Sequence, residues 1–354
     1  MNSTWKLISL DSTEEYDNNS PVWISEKGNL LQLSHSLMFK PELINHEIQG
    51  MWRYEKMLPI SHESKVSFNE GMTPIVKEII SGNSLQFKLE YLFPTGSYKD
   101  RGASVLVSKI KELGISNIVE DSSGNAGVAI ATYAAKAGIK SEIYVSQNAS
   151  QTKLKQLKNV GANVVLINGS REDVAHAARE RAKEIYYASH AINPYFFQGT
   201  KTFAYEVWEQ TQGNLPERIF FPTGNGTLIM GAFIGFTELL NAGSISMMPK
   251  LIAVQAQHCP SLISEDYSAF QPTIAEGIAV KNPVRKKEIF QSILETKGEI
   301  ITVTEEEILN ALQILCFKGY DVEKTSAVAL AGWLKAESPS NSLLPLTGHG
   351  LKNS

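Results

Sequence analysis

Residues 90–102 read Glu90-Tyr91-Leu92-Phe93-Pro94-Thr95-Gly96-Ser97-Tyr98-Lys99-Asp100-Arg101-Gly102, between a strand-like run at 84–89 and a helix-like run at 103–113. Pro94 and Gly96 bend the chain, so Lys99 falls at the start of a helix. A helix N-terminus carries partial positive charge and disfavours a lysine there. The residue therefore calls for a reason beyond solvation, although a solvated surface position is the ordinary fate of a lysine. A chemical reason exists: near that positive end and partly desolvated, an amine has a lowered pKa, and only the neutral amine attacks an aldehyde.

Outward from this stretch, short runs rich in Ile and Val alternate with helix-length amphipathic runs, the pattern of βαβ units and a parallel sheet. Strands are expected at 117–120, 141–145, 163–167, 218–221, 250–255 and 300–303, with helices between them. Loops at the carboxyl ends of such strands are where α/β proteins hold ligands. Two motifs fall there. Asp121-Ser122-Ser123-Gly124-Asn125-Ala126-Gly127 opens the helix at 128–137, and its backbone N–H groups suit a carboxylate, though Ser and Asn are also ordinary helix caps. Phe220-Phe221-Pro222-Thr223-Gly224-Asn225-Gly226-Thr227 turns from strand to helix, and its glycines let backbone approach a phosphate. A dinucleotide site is disfavoured, because Ile229 stands where a third glycine belongs and the next strand ends in Gln255 rather than an acid. Gly231 and Gly235 are expected to let the following helix pack closely.

At 354 residues the chain has room for two subdomains of one enzyme. A net charge of −4 argues against nucleic acid and anionic membrane as partners, since both need clustered Lys and Arg. The first residues, Met1-Asn2-Ser3-Thr4-Trp5-Lys6, lack a leader's apolar core, and no apolar run is long enough to span a bilayer, so a cytoplasmic protein is expected. Cys259 and Cys316 stand far apart and are both expected to be buried small apolar residues, without a disulfide or zinc site. His35, His46, His62, His176, His190 and His258 show no metal-ligand spacing and read as surface or core residues, while His349 touches a motif. Before residue 82, Val22-Trp23-Ile24 and Leu30-Leu31-Gln32-Leu33 flank Glu26-Lys27-Gly28-Asn29, an expected hairpin, and Trp52 and Tyr54 are expected to pack on a core.

Residues 94–102 resemble the lysine segment of the fold type II pyridoxal-phosphate (PLP) enzymes. That group contains threonine synthase, threonine and serine dehydratases, cysteine synthase and the tryptophan synthase β chain, and its Pro-Thr-Gly-Ser-[Tyr/Phe]-Lys-Asp-Arg-Gly carries the Schiff-base lysine. The resemblance runs from Trp52 to Lys352 with the motifs in the family's order. It implies an α/β fold of two open, mostly parallel twisted sheets with flanking helices. It also implies a small mobile domain at 101–189 and a large PLP-binding domain at 83–100 and 190–354, joined by the N-terminal segment 1–82. Lys99 would be the catalytic residue holding the cofactor. Asn125 would lie beside the ring, Gly224, Asn225, Gly226 and Thr227 would hold the cofactor phosphate, and Ser97, Ser122, Ser123, Gly124 and Asn125 would bind substrate. A homodimer is usual for the family.

Trp52-Arg53-Tyr54, Leu58-Pro59, Glu70-Gly71-Met72-Thr73-Pro74 and the ending Leu343-Leu344-Pro345-Leu346-Thr347-Gly348-His349-Gly350-Leu351-Lys352 are similar to threonine synthases in particular. There the threonine matching Thr347 bonds the pyridine nitrogen. A neutral hydroxyl does not hold that nitrogen protonated, which suits elimination and replacement along the side chain better than transamination. The implied reaction converts O-phospho-L-homoserine and water to L-threonine and phosphate.

Two departures stand out. Lys324 replaces a proline in Glu323-Lys324-Thr325-Ser326-Ala327, a tolerable change because proline there only presets geometry. Phe196 stands after Asn193-Pro194-Tyr195 where an arginine for the substrate phosphate is expected, with Lys201 or Arg101 as compensating candidates. The alternative is therefore a serine or threonine dehydratase, or another β-elimination or β-replacement enzyme using the same Lys99. A binding or regulatory protein without turnover is a third class, distinguished by failure to take up PLP.

Overall fold

The computed structural model describes residues 5–35, 39–149 and 151–353; Met1 to Thr4, read above for a leader, lie outside the described residues. Two compact units share the chain. The first takes the described residues up to Gly71 together with Lys99–Thr200, and the second takes Met72–Tyr98 and the residues from Lys201 onward.

In the first unit, β1 (Lys6–Ser9) pairs antiparallel with both β2 (Glu15–Asp17) and β3 (Leu31–Ser34). The expected hairpin between 22–24 and 30–33 does not form. Leu31–Ser34 pairs instead with Lys6–Ser9, because that register buries Leu7 and Leu31 in a core with Val66, Leu106, Ile110 and Ile118. The described residues up to Gly71 fall with the unit containing residues 101–189 and only 72–82 with the second unit, whereas the expected grouping joined the whole segment 1–82 to the larger domain.

Next come α1 (Lys99–Glu112), β6 (Asn117–Glu120), α2 (Asn125–Ala137), β7 (Lys140–Ser146) and α3 (Gln151–Asn159). They are followed by β8 (Asn163–Ile167), α4 (Arg171–Arg181), β9 (Tyr186–Tyr187) and α5 (Pro194–Thr200). The strands make a parallel sheet in the order β8-β7-β6-β9. A capping box starts α4: Ser170 accepts from the Asp173 amide and Asp173 from the Ser170 amide, satisfying two N–H groups that the helix leaves open.

The second unit contains β4 (Ile75–Ile80), β5 (Asn83–Lys88), α6 (Thr202–Gln210), β10 (Arg218–Pro222) and α7 (Thr227–Asn241). It continues with β11 (Lys250–Ala256), α8 (Lys286–Glu295), β12 (Ile300–Val303), α9 (Glu305–Phe317), α10 (Lys324–Lys335) and β13 (Ser342–Pro345). Its sheet runs β12-β11-β10-β13-β5-β4, parallel except for the edge strand β4. Each strand expected from residue 84 onward forms within a residue of its expected bounds. Val254, Leu344 and Trp333 lie in one core beneath this sheet. The α/β class with mostly parallel sheets and flanking helices stands, with the small antiparallel sheet added. Among the described residues no helix is long and apolar enough to cross a membrane.

Glycines fix two helix contacts. A Cβ on Gly235 of α7 would meet the Lys201 carbonyl and Ala204, so α6 and α7 touch there as expected. A Cβ on Gly199 of α5 would collide with the Arg101 carbonyl of α1, where backbone meets backbone and neither side yields. Gly199→Ala is expected to lower stability by about 1–3 kcal/mol through overpacking; thermal unfolding checks it, and an unchanged melting temperature would contradict this packing.

Candidate functional site

In the second unit three separated stretches converge on Tyr98. Its amide donates to the Thr347 carbonyl (3.2 Å), and its hydroxyl lies 2.8 Å from the Thr227 hydroxyl. Ser97, fully buried, forms a β-bridge with Gly348. Residues 97–98 at the end of the bend, the glycine loop and residues 347–348 are thus one assembly within this unit.

The loop at 223–227 leaves β10 and enters α7. Gly226 has φ +68°, which L side chains rarely adopt, and as N-cap it has no side chain with which to cap the helix. The first turn of this 15-residue helix therefore offers N–H groups and positive dipole to an anion. Gly224 approaches Ile278 so closely that a Cβ would stand 2.8 Å from its Cα. Gln255, at the end of neighbouring β11, holds the loop: its amide donates to the Thr223 carbonyl (3.1 Å) and to Ser261 (3.2 Å), and its carbonyl accepts from the Leu262 amide (2.9 Å).

Thr347 follows β13. Its hydroxyl lies 3.1 Å from that of Ser326, on the first turn of α10, and Ser326 accepts from the Gly348 amide (2.9 Å). Lys324 occupies the first position of α10, where proline would only have preset the backbone.

The first unit carries Lys99 as the first residue of α1, half-buried, with Nζ 5.8 Å from the centre of the Phe196 ring. That ring is wholly buried and lies against Gly102. Phe196 is thus a core residue. The loop at 121–124 leaves β6 and starts α2, with Asn125 as first helical residue and Gly124 as an N-cap without a side-chain bond. Ser122, Ser123 and Gly124 are half-buried, and Ser122 accepts from the Gly124 amide (3.3 Å). Arg171, at the start of α4, reaches the Asp121 carboxylate (2.9 Å) and its carbonyl, pinning the residue before the loop.

Behind the loop, Nδ1 of His190 meets Glu120 Oε1 at 2.7 Å, both groups being buried. Burial first, then the charge of Asp121, raises the Glu120 pKa well above the usual carboxylate range. Burial first, then the charges of Lys99 and Arg171, lowers that of His190 well below its ordinary value.

Of the residues expected from sequence, Ser97, Thr227 and Thr347 are brought together through Tyr98 and Ser326, while Lys99 and residues 122–125 belong to the first unit. Both compensating candidates are buried. Lys201 is buried and paired with Glu238 (2.9 Å), and Arg101 is buried in α1. Cys259 is buried as expected, but Cys316 is exposed on α9, whose inward positions are taken by Ile308, Ala311 and Leu315. Among the described residues no group of three or more His, Cys, Asp or Glu is placed to hold a metal. Sequence reasoning missed Gln255 as a loop anchor and the Glu120–His190 pair. Their signal was polar residues at or just past the ends of strands that otherwise read as core.

Residues 66–348 match the family described as pyridoxal-phosphate dependent enzyme. The threonine synthase of Methanocaldococcus jannaschii is 32% identical, the match covering 96% of this chain and 90% of that protein. The threonine synthase of Methanosarcina acetivorans is 33% identical, over 94% and 86%. Among solved structures, the serine racemase of Dictyostelium discoideum superposes with a TM-score of 0.66 at 25% identity, covering 79% of this chain and 92% of that one. An O-ureido-L-serine synthase superposes with a TM-score of 0.69 at 22% identity, over 80% and 90%, which supports the fold.

Gln255→Ala strips the Thr223 carbonyl and the Leu262 amide of their partner. A loss of about 1–3 kcal/mol in stability is expected, with faster amide exchange at residues 224–227; exchange unchanged in this loop would show that Gln255 does not hold it.

Proposed function

Since the chain belongs to the pyridoxal-phosphate dependent enzymes, we propose that it is a threonine synthase, converting O-phospho-L-homoserine and water to L-threonine and phosphate. What carries this is the similarity to threonine synthases along nearly the whole chain, with Lys99, the loops and Thr347 all present in order.

The donor set suits PLP. A lysine amine matches the aldehyde, a glycine loop at an uncapped helix start matches the phosphate, and a hydroxyl backed by Ser326 matches the ring nitrogen. When bound, PLP supplies the electron sink for charge developing at the substrate's Cα. In this proposal Lys99 holds the cofactor and, once released from it, moves protons at Cα and Cβ as the base. Ser122, Ser123, Gly124 and the start of α2 hold the substrate carboxylate, and Asn125 orients the ring. Gly224, Asn225, Gly226 and Thr227 anchor the phosphate of the cofactor. Ser97 lies on the substrate side of the lysine loop. Thr347, being neutral, keeps the ring from drawing charge as strongly as a carboxylate partner would.

A serine or threonine dehydratase is the alternative, favoured by one observation: Phe196 is buried core and no arginine stands in its place. The proposal includes a cytoplasmic homodimer acting on a small amino acid; light scattering on the eluting protein checks the assembly.

PLP-loaded protein given O-phospho-L-homoserine is expected to release phosphate and threonine in equal amounts. No phosphate, with ammonia and a keto acid from L-threonine, would establish the dehydratase instead. Lys99→Ala is expected to lose both turnover and the visible absorbance of bound cofactor, and retention of either removes Lys99 from its role.

A further inference from the structure

The Glu120–His190 pair has no place in the chemistry assigned so far. It sits at the carboxyl ends of adjacent parallel strands, Glu120 closing β6 and His190 just beyond β9, where α/β folds put ligands. The loop at 122–124 begins two residues after Glu120. Lys99 and His190 both lie against the Phe196 ring, whose centre is 5.8 Å from Lys99 Nζ and 6.0 Å from the centre of the imidazole. Glu120 is completely buried, and its Oε2 finds no hydrogen-bond partner among the described residues. A buried carboxyl with an unmatched oxygen is costly and is not what packing alone selects.

The pair's chemistry follows from its surroundings. Charged and titratable groups facing it are Asp121 beyond β6, Tyr187 on β9, Arg171 on α4 and Lys99 on α1. Glu120 favours its protonated form and His190 its neutral form. Glu120 then donates to Nδ1, so the imidazole carries its own proton on Nε2.

We propose that His190, oriented and recharged by Glu120, protonates the leaving group of the substrate while Lys99 serves the carbons. This rests on the function proposed above. A phosphate monoester leaving unaided would depart as the trianion, so its oxygen needs a proton. Lys99 takes a proton from Cβ, the electron pair left there forms the Cβ–Cγ double bond, and the Cγ–O bond breaks with its pair on oxygen. Nε2 gives that oxygen its proton as Nδ1 takes the proton of Glu120, leaving imidazole neutral and Glu120 a carboxylate. Lys99 returns its proton to Cγ, water adds its hydroxyl to Cβ, and water's remaining proton goes to Nε2 as Nδ1 gives its proton back to Glu120, which restores both groups. The leaving group is thus a phosphate or hydroxyl oxygen that must be protonated, not one that leaves as a stable anion.

The test compares wild type, His190→Asn and Glu120→Gln, all PLP-loaded, on O-phospho-L-homoserine and on 2-amino-4-chlorobutanoate, whose chloride leaves without a proton. Phosphate release is expected to fall about 100-fold or more in both variants, with chloride release changed less than about threefold. Equal losses on both substrates would mean a structural role, and no loss on phosphate would remove the pair from the reaction; either overturns the proposal. Should wild type release chloride but no phosphate, only the phosphohomoserine substrate fails, and ammonia release from L-threonine replaces phosphate in the same comparison. Release from none of the three overturns the pair as well. Nitrogen-15 NMR of the cofactor-free protein gives a readout independent of turnover. His190 is expected as the neutral tautomer protonated on Nε2, and a tautomer protonated on Nδ1 contradicts the relay.

Discussion

The position of Lys99 depends on the residue before it. Tyr98 is tied through its amide to Thr347 and through its hydroxyl to Thr227, so the residue before Lys99 is clamped by two segments far away in sequence. The next peptide bond carries the chain into the first unit, where α1 begins at Lys99 itself. On each side of that bond the chain is held within its own unit.

Rigidity before the junction comes from a buried polar network. Lys88, at the end of β5, contacts Glu206 (2.9 Å), Gln210 (2.9 Å) and the Thr73 carbonyl (3.0 Å), while Thr73 bonds Glu90 (2.6 Å). Lys88 and Glu206 have no solvent exposure, so removing either partner would strand a charge in the core at a cost of roughly 3–5 kcal/mol. Beyond the junction, α1 is held by α5 at the Gly199 contact and by the Phe196 ring on Gly102. The side chain that departs from the threonine synthase pattern is thus part of what seats the lysine helix.

Much of this was legible in the sequence because parallel strands buried on both faces write themselves as short Ile- and Val-rich runs, and the glycine loops declare turns. The strands Asn117–Glu120, Asn163–Ile167, Lys250–Ala256 and Ile300–Val303 follow that rule. What escaped was set by partners distant in sequence. β13 (Ser342–Pro345) sits between β10 and β5 although it comes last, and β9 is only two residues long. The pairing of Leu31–Ser34 with Lys6–Ser9 was decided by burial of Leu7 and Leu31, not by the nearby turn. Of the candidate functional residues, Lys99, the two loops and Thr347 announce themselves by motif. Gln255 and the Glu120–His190 pair do not, because their roles arise from strands brought side by side.

The central claim is that one lysine, Lys99, holds the cofactor. It is tested most directly by loading the protein with PLP, reducing it with borohydride and mapping the labelled peptide by mass spectrometry. A single pyridoxyl label on Lys99 is predicted. A label on another lysine, or none under conditions where the cofactor is bound, would contradict the account.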